Sequence, residues 1–319
     1  MKQPLISICI PAYKRISFLK RLLDSVSEQS FHDFEVVITD DSPDKQVESC
    51  IRDYTDKFQI IYHKNLHPLG SPANWNKAIA LARGTWIKIM HDDDWFASEN
   101  SLLRFAEAAK KNQSSFFFSG YQNFYLENGT HSCFVISLLD EFLLRRNPLY
   151  LFRTNYIGHP STTLIRNDRS SWFDEHIKWV GDFEFYIRLL KQDKNFVAIK
   201  EPLVNIGIGD DQITKIAFRN PEIEIPENIY ILNLLGSDAL GNIFVYDYFW
   251  RLCRNLRITH EKQMHQYITD TKVVDLLKKM IQLQRIFGQN AMVHSGLYSK
   301  TIMFLGYLCR FFKNLLSFS

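Results

Sequence analysis

The chain has 319 residues, 46% of them hydrophobic and 23% charged, with a net charge of +3; this excludes a disordered chain, and the length calls for a catalytic domain with a smaller appendage. Five cysteines (Cys9, Cys50, Cys133, Cys253, Cys309), odd in number and without a C-x-x-C pair, argue against a disulfide framework or a zinc site and read as reduced, mostly buried thiols. The lack of any run of about 18 apolar residues argues against a membrane-spanning helix, and Leu5 to Ile10, broken by Pro11, is too short for a signal peptide, so the expected location is the cytoplasm.

The first 120 residues alternate short apolar runs with helical patterns, as a doubly wound α/β sheet requires. Leu5 to Ile10 is the first strand, and Phe18, Leu19, Leu22, Leu23 and Val26 follow at helical spacing. Phe34 to Thr39 is the second strand and ends in the turn-forming cluster Asp40, Asp41, Ser42, Pro43, Asp44. Gln59 to Tyr62 is a weaker third strand. A helix from about Pro72 to Ala82 is closed by Gly84, and Thr85 to Met90 is a fourth strand running into His91, Asp92, Asp93, Asp94. Ser98 is the expected N-cap of a helix reaching Lys110, with a strand at Ser115 to Ser119. The pattern is mixed to about Ile208 and helical from Pro221 onward.

Two acidic clusters thus follow strands. Open α/β sheets bind ligands beyond the carboxyl ends of their parallel strands, where loops and helix N-termini converge. Three adjacent carboxylates repel unless a cation or solvent spreads their charge, and Mg²⁺ and Mn²⁺ take one or two carboxylates together with substrate phosphates. An acidic turn before a helix explains Asp92 to Asp94 equally well on these residues alone. Asp182, at the entry of a helix, reads by itself as an N-cap.

The segments SICIPAYKR (7–15), VVITDDSPD (36–44), NWNKAIALARGTWIKIMHDDDWF (74–96), STTLIRND with WFDE (161–175) and VGDFEFYIRLL (180–190) occur in one order. Together they resemble the family 2 glycosyltransferases with the GT-A fold, over roughly residues 5–210. The resemblance implies an α/β fold, a Rossmann-like mixed sheet flanked by helices with a helical C-terminal region. The expected division is a catalytic domain over 1–215, nucleotide-binding to about 120 and acceptor-binding over 121–215, followed by helices over 216–319. It implies an inverting transfer of a sugar from a nucleotide-sugar donor, UDP favoured, to an acceptor hydroxyl in polysaccharide or glycolipid synthesis. Nucleotide-binding roles fall on Pro11, Ala12, Tyr13, Asp40, Asp41 and Asp92, and Mn²⁺ or Mg²⁺ falls to Asp93 and Asp94. Asp182 takes the part of catalytic base. Three departures stand out: Ser42 follows Asp41 without the usual intervening Gly, His91 replaces the usual first Asp of the D-x-D motif and reads as a spacer, and Gly181 replaces the usual acidic neighbour of the base. The loop His159-Pro160-Ser161-Thr162 is expected at the acceptor and sugar site, and Gly207 to Thr214, with Asp210 and Asp211, at a segment closing over donor.

Residues 241–319 hold eleven Lys/Arg against four Asp/Glu, leaving the rest of the chain at −4. In residues 300–318, Lys300, Arg310, Lys313, Asn314 and Ser317 share one arc of a helical wheel, with Phe304, Leu305, Leu308, Phe311, Phe312 and Leu315 over much of the remainder. Two readings stand, a packed terminal helix and a peripheral membrane contact that reaches a lipid-linked saccharide. Nucleic acid is not an expected partner, since acidic strand ends repel a phosphate backbone. A sugar nucleotidyltransferase would place a Gly-rich loop after the first strand, where this chain has Pro11-Ala12-Tyr13-Lys14-Arg15. An inactive relative that keeps only nucleotide or sugar binding is the other alternative.

Overall fold

The computed structural model describes residues 3–169, 172–209, 217–268 and 271–316, the side chains of 271–273 and 311–316 apart. The described chain divides into two compact units, one of residues 1–148 with 156–211, the other of 149–155 with 212–319.

The first unit is built on a mixed sheet. Its strands are β1 (Ile6–Ala12), β2 (Phe34–Asp40), β3 (Ile60–Lys64), β4 (Trp86–Ile89), β5 (Trp95–Phe96), β6 (Phe116–Tyr125), β7 (His131–Phe134), β8 (Thr163–Arg166) and β9 (Phe196–Ile208). The order across the sheet is β3-β2-β1-β4-β8-β6-β9-β5, with β7 paired to β6. β3, β2, β1 and β4 are mutually parallel; β8 is antiparallel to both β4 and β6. β2 and β4 are buried along their whole length, which is why they read as unbroken apolar runs: helices cover both faces of a parallel sheet. Leu19, Leu22, Leu23 and Val26 of α1 (Ile16–Ser27) and Leu102, Phe105, Ala106 and Ala109 of α4 (Ser101–Lys111) are buried in the same core as β1 and β2. α2 is Gln46–Ile51, α3 is Ala73–Leu81, α5 is Leu138–Arg146 and α6 is Gly181–Gln192.

β1, β2 and β4 start close together because Glu35, fully buried, accepts from Ser7 Oγ at 2.7 Å and from the Arg83 backbone N–H at 2.8 Å and guanidinium Nε at 2.9 Å. Gly84 is obligatory there. A Cβ on it would lie 2.6 Å from the Ser7 nitrogen.

Two expectations need correction. The cap placed at Ser98 falls at Asn100, because the buried Gln29 side chain already holds the Ser98 carbonyl (2.9 Å) and the Leu102 N–H (2.8 Å). The cysteines are free but not mostly buried: Cys9 and Cys253 are buried and Cys50 is partly so, while Cys133 on β7 and Cys309 are exposed.

The second unit is helical: α7 (Pro221–Leu235), α8 (Ile243–Asn255), α9 (Glu261–His265), α10 (Thr271–Ile286), α11 (Gln289–His294) and α12 (Gly296–Leu316). Residues 149–155 are part of it, a stretch the sequence patterns do not single out. Tyr150 packs edge-on to Phe244 at 4.9 Å, Phe152 edge-on to Tyr248 at 5.0 Å, and the Arg251 guanidinium donates to the Phe152 carbonyl at 2.7 Å. One face of α12 is packed, through Ser299, Ile302, Met303 and Gly306: Trp250 Nε1 donates to Ser299 Oγ at 3.0 Å, and a Cβ on Gly306 would meet Leu283 at 2.7 Å. Leu297, Phe304 and Leu305 of the same helix are exposed. No helix among the described residues is long and apolar enough to cross a membrane.

Candidate active site

The carboxyl ends of β1, β2 and β4 meet. The Asp41 N–H donates to the Ala12 carbonyl at 3.0 Å and the Lys14 N–H to Ser42 Oγ at 2.7 Å, so the Pro11-Ala12-Tyr13 turn and the Asp40-Asp41-Ser42 turn are tied edge to edge. Ser42, directly after the Asp pair, is what makes the second tie. Tyr13 stands out from this ridge with 47% of its surface exposed.

Asp40 and Asp41 turn inward. Asp40 accepts from the Ser42 N–H (2.7 Å), the Tyr62 hydroxyl (2.9 Å) and Lys64 Nζ (2.9 Å), and it has no exposed surface. Asp41 accepts from Asn65 Nδ2 (2.7 Å) and from the N–H groups of Leu69 (3.0 Å) and Gly70 (2.8 Å). Both carboxylates therefore shape neighbouring loops, a job that backbone and side-chain donors to an anion do well.

The end of β4 is different. The tripeptide Asp92-Asp93-Asp94 is squeezed between β4 and β5, and β5 pairs with β9, Trp95 opposite Asn205. Gly207 of β9 passes so close that a Cβ on it would lie 2.4 Å from the Asp93 carbonyl oxygen. Asp92 receives the Arg15 guanidinium as a fork, through Nη2 and through Nε at 3.3 Å, while Arg15 Nη1 reaches Asp93 Oδ2 at 3.2 Å. Arg15 attains this from a left-handed backbone conformation just before α1. Arg21, stacked 3.7 Å over the Trp95 ring, donates to the Asp93 carbonyl at 2.7 Å. Asp94 is buried, accepts from the Gly207 N–H at 3.3 Å, and is hydrogen-bonded to the Ser161 side chain.

Burial in this corner opposes ionisation. It lifts Asp92 to about 7 against the pull of Arg15, and lifts Asp94 well above the carboxylate range, with the Asp93 charge adding to it. Lys88, wholly buried in β4, is lowered to about 7 by the same desolvation; its ammonium donates to the Ser161 carbonyl and lies 4.8 Å from the Phe105 ring centroid. Burial also lowers His91 to about 4, which leaves a neutral imidazole at pH 7. Its ring packs on Trp75, centroids 4.6 Å apart, and the His91 backbone N–H donates to Ser161 Oγ at 2.9 Å.

A ring nitrogen of His91 and one carboxylate oxygen each from Asp93 and Asp94 lie within 4.8 Å of one another. An N,O,O donor set of this kind suits a divalent cation. The structure thus gathers Asp93 and Asp94 with a residue the sequence reading took for a spacer, and turns Asp92 to Arg15.

Asp182 is not an N-cap. Val180 holds that position, and Asp182 lies in the first turn of α6, with Oδ1 accepting its neighbour's N–H, that of Phe183, at 2.8 Å. Its charge reaches the buried Tyr186, whose phenol is raised by burial first and then by Asp182 and Tyr121. Tyr121 in turn meets the His159 ring edge-on at 5.6 Å, and His159 feels the Asp93 charge. In the His159 to Thr162 loop, Ser161 is the residue that touches the acidic corner. Asp210 and Asp211 lie outside the described residues.

Arg15, Lys88 and His91 were not assigned to the site from sequence, and Ser161 only as part of the loop expected at the acceptor and sugar site. Lys88 carried a usable signal, a lysine in the middle of an otherwise apolar strand. The others depend on contacts across 70 or more residues.

The family described as glycosyl transferase family 2 matches residues 7–168. An uncharacterized glycosyltransferase of Methanocaldococcus jannaschii, MJ1057, is 29% identical over 228 residues, covering 68% of this chain and 76% of that protein. Among solved structures, S. aureus TarS 1-349 in complex with UDP-GlcNAc superposes with a TM-score of 0.63 at 18% identity, covering 95% of this chain and 89% of that one. The mannosyltransferase PcManGT from Pyrobaculum calidifontis, in complex with GDP-Man and Mn²⁺, gives 0.55 at 13% identity, over 99% and 88%. Similarity at these identities speaks for the fold, and it agrees with the mixed sheet and helical second unit found here. The match over half of the chain, on a sheet whose β1, β2 and β4 ends carry the family's motifs, makes this protein a member of glycosyl transferase family 2 with the GT-A fold.

Proposed function

We propose that this glycosyltransferase takes a sugar from a nucleotide-diphosphate donor, UDP favoured, and attaches it with inversion to a hydroxyl of a saccharide or lipid-linked saccharide, in surface-polysaccharide or glycolipid synthesis. The observation that carries the reading is the convergence of Asp93 and Asp94 within coordinating distance at the end of a central parallel strand.

In this reading Pro11, Ala12 and Tyr13 hold the nucleotide, the half-exposed Tyr13 ring stacking on the base. Asp40 and Asp41 act from behind by fixing the 42–44 and 65–70 loops, and Asp92 acts through Arg15. Asp93 and Asp94, beside His91, hold Mn²⁺ or Mg²⁺. When bound, the cation neutralises negative charge on the departing nucleoside diphosphate. Asp182 accepts the proton of the acceptor hydroxyl while that oxygen bonds to the anomeric carbon and the bond from that carbon to the diphosphate oxygen breaks on the opposite face. Gly181 leaves Asp182 without an acidic neighbour. The proposed setting is the cytoplasmic face of the membrane, with anionic lipid meeting the exposed Leu297, Phe304 and Leu305 of α12 and the positive charge of residues 241–319.

A thermal-shift screen of nucleoside diphosphates and nucleotide sugars, with and without Mn²⁺, tests the donor class. A ligand at 100 times its dissociation constant stabilises by about 2.7 kcal/mol. A response to UDP that requires metal and vanishes in Asp93→Ala is the expected result. No response to any nucleotide at saturation would sink the proposal.

A further inference from the structure

We infer that His91 is a direct nitrogen ligand of the divalent cation, so that the site is built from one imidazole and two carboxylates and favours transition-metal ions over Mg²⁺. The inference rests on the proposed role of Asp93 and Asp94 and sharpens it, since an all-oxygen site makes a weaker distinction.

Three observations converge on His91. Its ring nitrogen shares a space of 4.8 Å with the carboxylate oxygens of Asp93 and Asp94. Its Nε2 is buried and has no hydrogen-bond partner among the described residues, an unfavourable arrangement unless a ligand fills it. The ring is also held in place before any ion arrives. Trp75 packs on it at 4.6 Å and is itself braced edge-on by Phe173 at 5.1 Å, while the His91 backbone N–H donates to Ser161 Oγ, whose side chain also hydrogen-bonds the Asp94 carboxyl. Metal-binding imidazoles are oriented by contacts outside the ligand set.

The ligand chemistry sets the consequence. Imidazole binds first-row transition ions in the order Mn²⁺ below Co²⁺ below Ni²⁺, and it adds little for Mg²⁺, which prefers oxygen and keeps its waters. An imidazole at this position supplies a neutral nitrogen where a carboxylate would supply a charged oxygen. The site gains selectivity and carries one less negative charge.

The test uses the full chain loaded with Mn²⁺, read by electron spin echo modulation and by calorimetric titration of Mn²⁺, Co²⁺ and Mg²⁺. The expected result is ¹⁴N modulation on Mn²⁺ in the wild type and its loss in His91→Asp, with Co²⁺ binding tighter than Mn²⁺ and both tighter than Mg²⁺. His91→Ala should weaken Mn²⁺ and Co²⁺ by at least about tenfold and Mg²⁺ by much less. His91→Asp, which restores three ligands, should narrow the gap between Mn²⁺ and Mg²⁺. Mn²⁺ bound to the wild type without ¹⁴N modulation overturns the inference while leaving the cation site intact. So does modulation that survives in His91→Asp and disappears in His159→Ala, because His159 is then the source. If the wild type binds no Mn²⁺ even with UDP present, the cation site itself is wrong and the inference falls with it. The echo measurement on the wild type is independent of whether any variant folds.

Discussion

Two pairs of aspartates follow the two parallel strands that flank β1, and the protein treats them in opposite ways. After β2, every oxygen of Asp40 and Asp41 is met by a donor of the protein itself: a hydroxyl, an ammonium, an amide and three backbone N–H groups. After β4, Asp93 and Asp94 crowd each other beside an imidazole nitrogen with no hydrogen-bond partner among the described residues, and burial raises the Asp94 carboxyl well above its ordinary pKa. The same residue type is scaffold where six donors serve two carboxylates and a candidate ligand where three donors do, among the described residues. What separates the two is the supply of partners around each strand end, not the strand end itself.

Substitutions can break or sharpen that contrast. The largest effect is expected from Asp182→Asn, which should lower kcat by about 10²- to 10⁴-fold with an identified acceptor while leaving the metal-dependent response to UDP unchanged. Near wild-type turnover would remove Asp182 from the role of base. Asp93→Ala should cost transfer at least about a hundredfold, as loss of several kcal/mol of charge stabilisation implies, yet shift the urea midpoint little, because it relieves repulsion in the corner. Asp40→Ala should do the reverse. It strands the Tyr62 hydroxyl, the Ser42 N–H and the Lys64 ammonium, and since Lys64 is partly exposed the expected loss is about 2–3 kcal/mol of stability, read by urea denaturation. If Asp93→Ala proves the more destabilising of the two, the division into scaffold and reactive ends is wrong. The smallest effect belongs to Gly181→Glu. A Cβ there meets nothing nearer than the Ile177 Cβ at 4.0 Å, so stability should stay within about 0.5 kcal/mol, and any change should appear only in the pH profile of transfer.

The strands of the first 120 residues were legible because a sheet covered on both faces writes itself as apolar runs, and because Asp clusters punctuate those runs. The ordered motifs then singled out Asp93 and Asp182 as candidates, and the structure gathers Asp93 with Asp94 and His91. What escaped is what depends on distant partners. Nothing adjacent to His91 in the chain announces that Trp75 will hold its ring or that Ser161 will anchor its backbone. Arg15 reaches Asp92 only because the chain adopts a left-handed turn before α1. The inward turn of Asp40 could be inferred only with β3 in place, since Tyr62 and Lys64 supply the donors. Ser98 misled for a related reason: the buried Gln29, just past the end of α1, took over the cap's work.

Residues 149–155 carry a consequence for inheritance. The helical unit is written in two separate stretches of the gene, because Tyr150 and Phe152 fill positions among Phe244, Tyr248 and Phe249. A recombination that joined a new ending after residue 211 would import helices with the wrong plug, or leave Tyr150 and Phe152 without their aromatic neighbours. The C-terminal part of such a chain is poorly suited to exchange as a cassette, and changes in whatever it recognises are expected to accumulate by point substitution, with 149–155 changing in step.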